Sequence, residues 1–322
     1  MMRKSATILG IFLIGILLTA CSNGDNGSGD ATGFLGGTQG VQLSFGENAP
    51  PSAIADGGQQ PFPVIVKAQN LGEEPVSADN ATITLEGFSF DAFNISQDNL
   101  TKRPAENIQA NRQTPDGEPI DAAPVFTEFP TFNYVDDTQT GREQAMIASM
   151  CYEYASTTAT ELCIKDDLYL ADSSSPCEVT AARDSSSSGA PVQITGVEQD
   201  VESSDTTGLT FTVKNQGSGD VYQSGTTCTP TQGQRVEGDV IVSFSDLDGV
   251  TEVNCRSAQR INDRSFELRL TQEDLRQGDT FRCAMTIPAE NRNNREEPFS
   301  VELEYLYETT TSKTVTVRNT IQ

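Results

Sequence analysis

Residues 62–70, FPVIVKAQN, and residues 209–215, LTFTVKN, contain the pattern that decides the fold class. The second stretch alternates apolar and polar residues, and the first is rich in β-branched residues, as is typical of strands. Short runs of the same kind recur from residue 40 onward, separated by Gly, Pro, Asn and Asp. Such alternation, with turn residues every 8–12 positions or so, favours a β-sandwich and predicts an all-β protein.

Other stretches extend this pattern along the chain. Residues 145–155 and 161–165 are predicted to form a β-hairpin that turns at 156–160. One helical turn is expected in TQEDLRQGD, residues 271–279, with Thr271 as N-cap, Asp274 at N3 and Gly278 near its end. Further strands are predicted at 41–45, 81–88, 192–200, 239–244, 265–270, 281–287, 299–308 and 313–319.

The two opening stretches also form an internal repeat. Each ends in Asn-x-Gly, at 70–72 and at 215–217, and each resumes with a valine four positions later, Val76 and Val221. Such a repeat supports two modules, and the Asn-x-Gly triplets are predicted to supply positive-φ turns. The alternative is that the triplets only reflect how β proteins commonly end their strands.

A serine-rich segment gives the predicted boundary between the modules. Residues 171–191 contain two serine runs and no apolar periodicity. We therefore predict a linker at 182–189, between β-sandwich modules at 40–181 and 190–322. Residues 103–124 are polar and Pro-rich, and they are predicted to form a long insertion loop, which in a compact domain is usually functional or mobile.

Composition excludes several classes of function. The 322 residues carry a formal charge of −25 and contain no His. Ser-His-Asp and Cys-His catalysis, HExxH motifs and Cys₂His₂ zinc sites are therefore excluded, and the acidic excess argues against nucleic acid as a partner. Among the 46 acidic residues no pair stands out as a glycosidase pair. We expect no enzyme activity and no cofactor.

The acidic excess also has a distinctive composition. Only six of the 21 basic residues are Lys. An acidic, Lys-poor surface suits a salty solvent, because concentrated salt screens the repulsion between carboxylates. The hypothesis is a halophilic source; the alternative is an ordinary acidic secreted protein.

The first residues predict export and lipid anchoring. Arg3 and Lys4 precede an apolar run at 6–20 that is too short for a comfortable bilayer span but suits a signal peptide. The run ends in Leu-Thr-Ala-Cys, residues 18–21, which resembles the lipobox of secreted lipoproteins. That resemblance implies removal of residues 1–20 and lipidation of Cys21, and the mature charge would be 19 − 46 = −27. Ordinary secretion or an uncleaved anchor helix are the alternatives.

The segment after the predicted cleavage site differs in composition from the rest of the chain. Residues 22–39 are rich in Gly, Asn, Asp and Ser and almost devoid of large apolar side chains. Such a stretch does not bury enough surface to offset its ordering entropy. Residues 21–39 are therefore predicted to be a flexible tether.

The six cysteines after Cys21 suggest three disulfides in an exported protein. We predict the pairs 151–163, 255–283 and 177–228, the first across the expected hairpin and the last between the modules. The competing scheme pairs 163 with 177 and leaves two cysteines over. A metal cluster is not expected, because the chain has no CxxC motif. The cysteines concerned are Cys151, Cys163, Cys177, Cys228, Cys255 and Cys283.

Acidic pairs raise the question of a calcium site. Asp246 and Asp248 are the best candidates, ahead of the pairs at 136–137 and 166–167. An EF-hand loop needs a Glu at its twelfth position, and here Ser257 stands there. An Asx turn at 248–249 is the favoured interpretation, and no metal is predicted.

Asn-x-Ser/Thr sequons mark candidate glycosylation sites on an exported protein, although such triplets also arise by chance. The predicted sites are Asn26, Asn80, Asn94 and Asn99.

Several segments together resemble a known group of proteins. They are GFLGGTQGVQLSFGENAPPSAI, PFPVIVKAQNLG, CYEYASTTATELCIKDDLY, SSGAPVQITGVEQ and LTFTVKNQGSGDVY, at 33–54, 61–72, 151–169, 187–199 and 209–222. Their layout resembles anchored surface proteins of small-genome, DPANN-type archaea, which carry tandem Ig-like domains, and more broadly the CARDB class of Ig-like modules. The resemblance implies that the modules at 40–181 and 190–322 are two tandem Ig-like β-sandwich domains exposed on an archaeal envelope. It brings no activity or functional residues with it.

The sequence thus predicts a lipid-anchored protein on the extracellular face of the membrane. Its expected role is adhesion or interaction with a protein or glycan of a cell envelope. The alternatives are a structural subunit that self-assembles into a layer or filament, and a solute-binding lipoprotein; the last class usually has α/β domains, and that alternation is missing here.

Overall fold

The computed structural model describes residues 33–169, 175–223, 228 and 238–320. These described residues form one compact unit. Strands dominate it, together with the α-helix α1 (Gln272–Gln277) and 3₁₀ turns at Ala78–Asn80, Gln97–Asn99 and Ala289–Asn291. The strands are β1 (Val41–Phe45), β2 (Ala53–Ala55), β3 (Ile65–Asn70), β4 (Ala81–Glu86), β5 (Thr101–Lys102), β6 (Arg112–Gln113), β7 (Pro119–Ile120), β8 (Val125–Glu128), β9 (Arg142–Ile164), β10 (Ala181–Arg183), β11 (Ser185–Ser187), β12 (Val192–Val201), β13 (Thr206–Asn215), β14 (Asp220–Tyr222), β15 (Gly238–Phe244), β16 (Glu252–Arg256), β17 (Gln259–Arg260), β18 (Ser265–Leu270), β19 (Asp279–Thr286) and β20 (Arg295–Arg318).

These strands form two layers. The larger layer, here called the shared sheet, has the order β17-β18-β15-β20-β9-β4-β5; in addition, β11 pairs with β9, and β2 and β14 pair with β20. The first cover sheet is β1-β3-β8 and the second cover sheet is β10-β12-β13-β19-β16. One continuous apolar core contains buried residues from all three sheets. The prediction of an all-β sandwich is confirmed, because the alternating residues of these strands bury one face against a facing sheet.

Two very long strands run through the centre of the shared sheet. β9 and β20 pair antiparallel over their length, from the partners Ile164 and Arg295 to the partners Arg142 and Val317. β4 pairs with the first half of β9, and β15 pairs with the first half of β20. We call the β9–β20 pair the ribbon. The first cover sheet and the part of the shared sheet that it faces form the first sandwich, and the second cover sheet forms the second sandwich in the same way. Each long strand starts in one sandwich and ends in the other, so the ribbon joins the two sandwiches.

This ribbon corrects two predictions about local structure. The hairpin at 145–165 is wrong, since β9 is a single strand of 23 residues. Residues 299–308 and 313–319 likewise lie in one strand, β20. The Ser/Thr segment of β9 was expected to turn, but it stays extended because the hydroxyls of Ser156, Thr158 and Thr160 are buried and hydrogen-bonded to Val192 O, Ser187 Oγ and Asp184 O.

The predicted linker is also corrected. Residues 181–183 form β10 and pair with β12, and residues 185–187 form β11 and pair with β9. Most of segment 182–189 is therefore strand, divided between the two layers. The hydroxyls of Ser187 and Ser188 are hydrogen-bonded to Thr158 Oγ1 and Thr157 N of β9. The chain passes between the sandwiches in the middle of β9 and of β20, and the boundary does not fall at one point in the sequence.

The predicted helical turn is confirmed. α1 begins after Thr271, whose side chain accepts from Asp274 N while Asp274 accepts from Thr271 N, and Gly278 follows it with φ +91°. Leu275 is buried and joins the core. Within the described residues, no helix has the length and apolar character needed to cross a bilayer.

Candidate interaction surface at the junction of the two sandwiches

Four tyrosines line the inner face of the ribbon where the two sandwiches meet. They are Tyr152 and Tyr154 on β9 and Tyr305 and Tyr307 on β20. All four are buried, and neighbouring rings lie 5.5–6.3 Å apart between centroids. Burial raises the pKa of Tyr152 and Tyr305 well above the ordinary value, so both hydroxyls stay neutral.

The hydroxyl groups make matched hydrogen bonds on the two sides of the junction. Tyr152 Oη accepts from Val41 N at 3.0 Å, and Tyr305 Oη accepts from Val192 N at 3.3 Å. Val41 and Val192 begin β1 and β12, the equivalent strands of the two cover sheets. Each tyrosine thus satisfies a buried N–H at the start of a strand, which would cost about 1–3 kcal/mol if left unpaired.

The Asn-x-Gly triplets form the second matched set. Asn70 Oδ1 accepts from Gly72 N at 3.0 Å, and Asn215 Oδ1 accepts from Gly217 N at 3.0 Å. Tyr154 Oη donates to Asn70 Oδ1 at 2.9 Å, and Tyr307 Oη donates to Asn215 Oδ1 at 3.5 Å. The internal repeat seen in the sequence is therefore a structural repeat with the same contacts, and these contacts relate the two sandwiches by an approximate twofold axis through the ribbon.

The prediction of a positive-φ turn at these triplets is wrong. Positive φ is found at other glycines, and the turns at 70–72 and 215–217 are closed by the asparagine side chains. Glycine is needed for a different reason. A Cβ at Gly72 would lie 2.2 Å from Tyr154 Oη, and one at Gly217 would lie 2.3 Å from Tyr307 Oη.

Residues 35–36, the entering segment that precedes β1, are hydrogen-bonded to Glu73 beside this junction. The carboxylate of Glu73 accepts from Leu35 N at 2.8 Å, Gly36 N at 2.9 Å and Gly189 N at 2.5 Å. Gly189 O in turn accepts from Glu73 N at 2.8 Å. Residues 35–36 of the predicted tether are thus hydrogen-bonded to the first sandwich, and the rest of the predicted tether before residue 33 lies outside the described residues.

Beside the same junction lies an open cleft of about 250 Å³. Its walls come from residues 38–42, the turn at 216–218, Pro191, Tyr307 and Thr309. None of the described residues that line it is charged, in a chain of which 21% is charged. The cleft was not predicted, because it is formed by segments distant in sequence.

The disulfides agree in part with the predicted scheme. Cys255 pairs with Cys283, as predicted, since the two face each other across β16 and β19. The other two predicted pairs are wrong. Cys151 pairs with Cys228, and Cys163 pairs with Cys177, which was the competing scheme for that cysteine. The predicted 151–163 pair depended on a hairpin, and in the continuous strand β9 these two cysteines lie twelve positions apart.

The described sequons lie at the surface of the first sandwich. Asn80, Asn94 and Asn99 are exposed. Asn80 Nδ2 donates to Glu153 Oε2 at 2.6 Å, and Asn94 adopts a φ of 49°. Their glycosylation stays a prediction. Asn26 and Cys21 lie outside the described residues.

The long insertion at 103–124 is fixed at its base and exposed at its tip. Ile108 is buried and bridges to Val76. Asn111 Nδ2 donates to Leu71 O at 3.1 Å, while Asn111 Oδ1 accepts from Ala122 N at 2.8 Å. The tip is the small hairpin β6–β7, where Ile120 is exposed. The base of the insertion is therefore ordered by contacts with the first sandwich.

The candidate calcium residues form a turn. Val250 N donates to Leu247 O at 3.2 Å, and Gly249 has φ +81°. This main-chain hydrogen bond closes the turn, and the predicted Asx turn at 248–249 is wrong. In the part of the chain that the structure describes, no three His, Cys, Asp or Glu side chains gather into a group that could hold a metal ion.

Carboxylates accumulate instead on the outer face of the ribbon. Burial and the neighbouring Glu302 raise the pKa of Glu304, with a further contribution from Glu153. Burial, Glu302 and Glu304 raise the pKa of Glu74 in the same way. This repulsion falls as salt screens it.

Sequence reasoning missed the four tyrosines and the role of Glu73. The tyrosines were visible as YEY at 152–154 and YLY at 305–307, two identically spaced pairs in the two halves. That repeated spacing was the available signal. The sequence carries no comparable signal for the contacts of Glu73, because their partners lie 38 and 116 positions away along the chain.

Comparison with known proteins identifies no family. No family model and no curated protein matches the chain. Among solved structures, the C-terminal domain of the Streptococcus pyogenes antigen I/II-family protein AspA is 8% identical, covers 87% of this chain and 99% of its own, and has a TM-score of 0.13. The collagen adhesin (CNA) from S. aureus is 11% identical, covers 88% of this chain and 93% of its own, and has a TM-score of 0.11. Likenesses this distant carry no argument about function, and the conclusion that stands is a disulfide-bonded, all-β protein.

Proposed function

We propose that the chain is a lipid-anchored protein of the cell surface that uses its paired sandwiches for adhesion or for interaction with a cell envelope. The observation that carries the proposal is the set of three disulfides in a chain that begins with a lipobox-like signal. Disulfides persist in oxidising compartments outside the cytosol. The lipobox would supply the membrane attachment through Cys21.

The geometry suits a protein that transmits force from an anchor to a partner. The entering segment is hydrogen-bonded by Glu73 at the centre of the molecule, and β9 and β20 join both sandwiches over a ribbon of 23 paired positions. Two disulfides attach other segments to β9, at Cys151 and Cys163. Separating the sandwiches would require breaking the ribbon.

The anchor is tested by expressing the Cys21→Ala variant beside a Ser22→Ala control. The unaltered chain and the control should fractionate with membranes and incorporate an alkyne-labelled lipid precursor. The Cys21→Ala variant should lose the label. Equal labelling of the variant, or labelling of neither protein, would overturn the anchoring proposal.

The surface role is tested by binding of the intact protein to whole cells and envelope fractions. We expect saturable binding that is lost on reduction of the disulfides. A monodisperse protein that binds neither preparation would contradict the adhesion proposal. Ordered polymers seen by electron microscopy would favour the alternative of a structural layer or filament subunit.

Adaptation to salt is a separate part of the proposal. The charge of −25 and the mutual repulsion of Glu74, Glu302 and Glu304 both weaken in concentrated salt. The melting temperature should therefore rise as NaCl increases. The triple variant Glu74→Gln/Glu302→Gln/Glu304→Gln should show a smaller rise, and undiminished stability near zero salt would contradict a halophilic source.

A further inference from the structure

The approximate twofold axis assigns each residue of the junction a counterpart on the other side. Gly40 O accepts from Leu71 N at 3.0 Å, and its counterpart Pro191 O accepts from Gln216 N at 2.7 Å. One position further along, Gly72 corresponds to Gly217, and Glu73 therefore corresponds to Ser218. The surroundings of Glu73 and Ser218 should match if the two sides were equally filled.

On the first side the position beside Glu73 is filled by the protein's own main chain. Gly189 O accepts from Glu73 N at 2.8 Å and would lie 2.5 Å from a Cβ at Gly72. The filling segment is Ser-Ser-Gly-Ala, residues 187–190. It is uncharged and composed of small residues, and the chain bends at Gly189 after β11 ends at Ser187.

On the second side the same position is the open cleft. Ser218 N has no hydrogen-bond partner among the described residues, although its counterpart Glu73 N is paired. The cleft is surrounded by hydroxyl and amide side chains from Thr38, Gln39, Gln42, Gln216, Ser218 and Thr309. These groups accept and donate hydrogen bonds without carrying charge.

The asymmetry has a local cause. The counterpart of Gly189 is Thr38, which forms one wall of the cleft and does not fill it. Glu73 draws the entering segment to the first side through Leu35 N and Gly36 N. Ser218, the counterpart of Glu73, has no carboxylate that could accept from Leu35 N and Gly36 N. The entering segment is therefore not drawn to the second side, which stays open.

We propose that this cleft binds a short, uncharged peptide segment of small residues presented by a partner protein. A carbonyl of that segment accepts a hydrogen bond from Ser218 N–H, as Gly189 O does from Glu73 N–H. The volume of about 250 Å³ lies below the ~300–1,000 Å³ of pockets for drug-sized ligands, which suits a narrow main chain. The site does not involve Cys21, so its failure and the failure of lipid anchoring are distinguishable.

Photo-crosslinking to the intact protein tests the proposal. The probe is the peptide Ser-Ser-Ser-Ser-Gly-Ala-Pro-Val, copied from residues 185–192, with a diazirine at its N-terminus. We expect saturable crosslinks that map to residues 38–42 and 216–218. Loss of the Ser218 N–H donor in Ser218→Pro should weaken binding about tenfold.

A pair of neighbouring variants separates binding from folding. Thr309→Arg places a long side chain in the cleft and should abolish the crosslinks, whereas Thr310→Arg, on the opposite face of the same strand, should leave them unchanged. Both variants should melt at the same temperature as the unaltered chain. Any of three results would overturn the proposal. The crosslinks could survive in Thr309→Arg, they could be competed equally well by a peptide with Glu and Phe in place of Ser and Gly, or they could be displaced by maltotriose.

Discussion

The equivalent outer edges of the two cover sheets are closed in different ways. In the second cover sheet, β19 is covered by β16, and the Cys255–Cys283 disulfide joins the two strands. In the first cover sheet, no further strand of the described part of the chain pairs with β8. Its free side carries Pro130, which has no N–H to offer, and Glu128 O, which accepts from Lys102 Nζ at 2.8 Å. The equivalent edge is thus protected by a disulfide-linked strand in the second cover sheet and by individual side chains in the first cover sheet.

The junction shows the opposite behaviour. There the tyrosine, asparagine and glycine contacts are the same on both sides. A buried junction has few ways to satisfy its main-chain groups, whereas an exposed edge has many. The comparison teaches that the repeat is constrained at its centre and free to diverge at its margins.

The largest expected effect comes from removing the disulfide of the second edge. Cys255→Ala/Cys283→Ala should lower the free energy of unfolding by about 3–4 kcal/mol, because it frees a loop of 28 residues in the unfolded chain. Hydrogen exchange should accelerate in β16 and leave β8 unchanged. The matched change on the other edge, Lys102→Met, should cost about 1 kcal/mol or less. Equal losses would contradict the difference between the edges.

The junction glycines should behave as a pair. Gly72→Ala and Gly217→Ala should each lower the free energy of unfolding by about 3 kcal/mol, because each new Cβ collides with a buried tyrosine hydroxyl. Denaturant unfolding measures the change. The control Gly196→Ala meets nothing nearer than 3.5 Å and should stay within about 0.5 kcal/mol. A large loss of stability at only one of the two junction glycines would contradict the structural equivalence of the two positions.

The tyrosine hydroxyls should have a smaller and equal effect. Tyr152→Phe and Tyr305→Phe keep the rings but leave Val41 N and Val192 N without an acceptor, at a cost of about 1–2 kcal/mol each. Thermal unfolding measures the loss, and Tyr169→Phe is the control because Tyr169 is 68% exposed. Unchanged stability in either junction variant would mean that its hydroxyl is not the needed acceptor.

The smallest effect should appear at the end of the ribbon on acidification. Asp56 accepts four hydrogen bonds, from the N–H and hydroxyl groups of Thr138 and Thr320, and these bonds lower its pKa below the ordinary value of 3.8. A carboxyl with a lowered pKa stabilises the fold fully above its unfolded pKa, and this stabilisation is lost as the pH falls toward the folded pKa. Hydrogen exchange at 316–318 should therefore accelerate below about pH 4. The Asp56→Asn variant should exchange faster at neutral pH and show no such acid response; an acid response that persists would point to other carboxylates.

The pattern of the sequence was sufficient for the fold class and for many strands. β1 and β18 coincide with the predicted segments, and α1 begins at its predicted cap, because each depends on local alternation or on a capping box. The Cys255–Cys283 pair was also predictable from neighbouring β-rich segments. Lipidation of Cys21 and glycosylation of the sequons stay predictions.

The errors have one physical origin. The sequence predicts a turn at 156–160, a break between strands at 309–312 and a linker at 182–189, and all three segments are rich in polar residues. In the structure 156–160 lies in β9, 309–312 lies in β20, and most of 182–189 lies in β10 and β11. Hydroxyl side chains suit a strand or a loop equally well, and the partner decides between them. Those partners, such as Val192 O for Ser156 Oγ at 2.7 Å, come from distant parts of the chain. Local pattern therefore could not find the continuous ribbon or the two disulfides that depend on it.

By itself, the sequence determined an acidic, His-free, all-β chain with an internal repeat, because alternation and composition are local properties. Only the tertiary structure decided that the two repeats share one ribbon and that Gly72 and Gly217 make room for tyrosine hydroxyls. It also decided that residues 187–190, hydrogen-bonded to Glu73, fill one side of the junction while the other side stays open. These features depend on contacts between residues far apart along the chain, and an antiparallel pairing of two long strands brings those residues together.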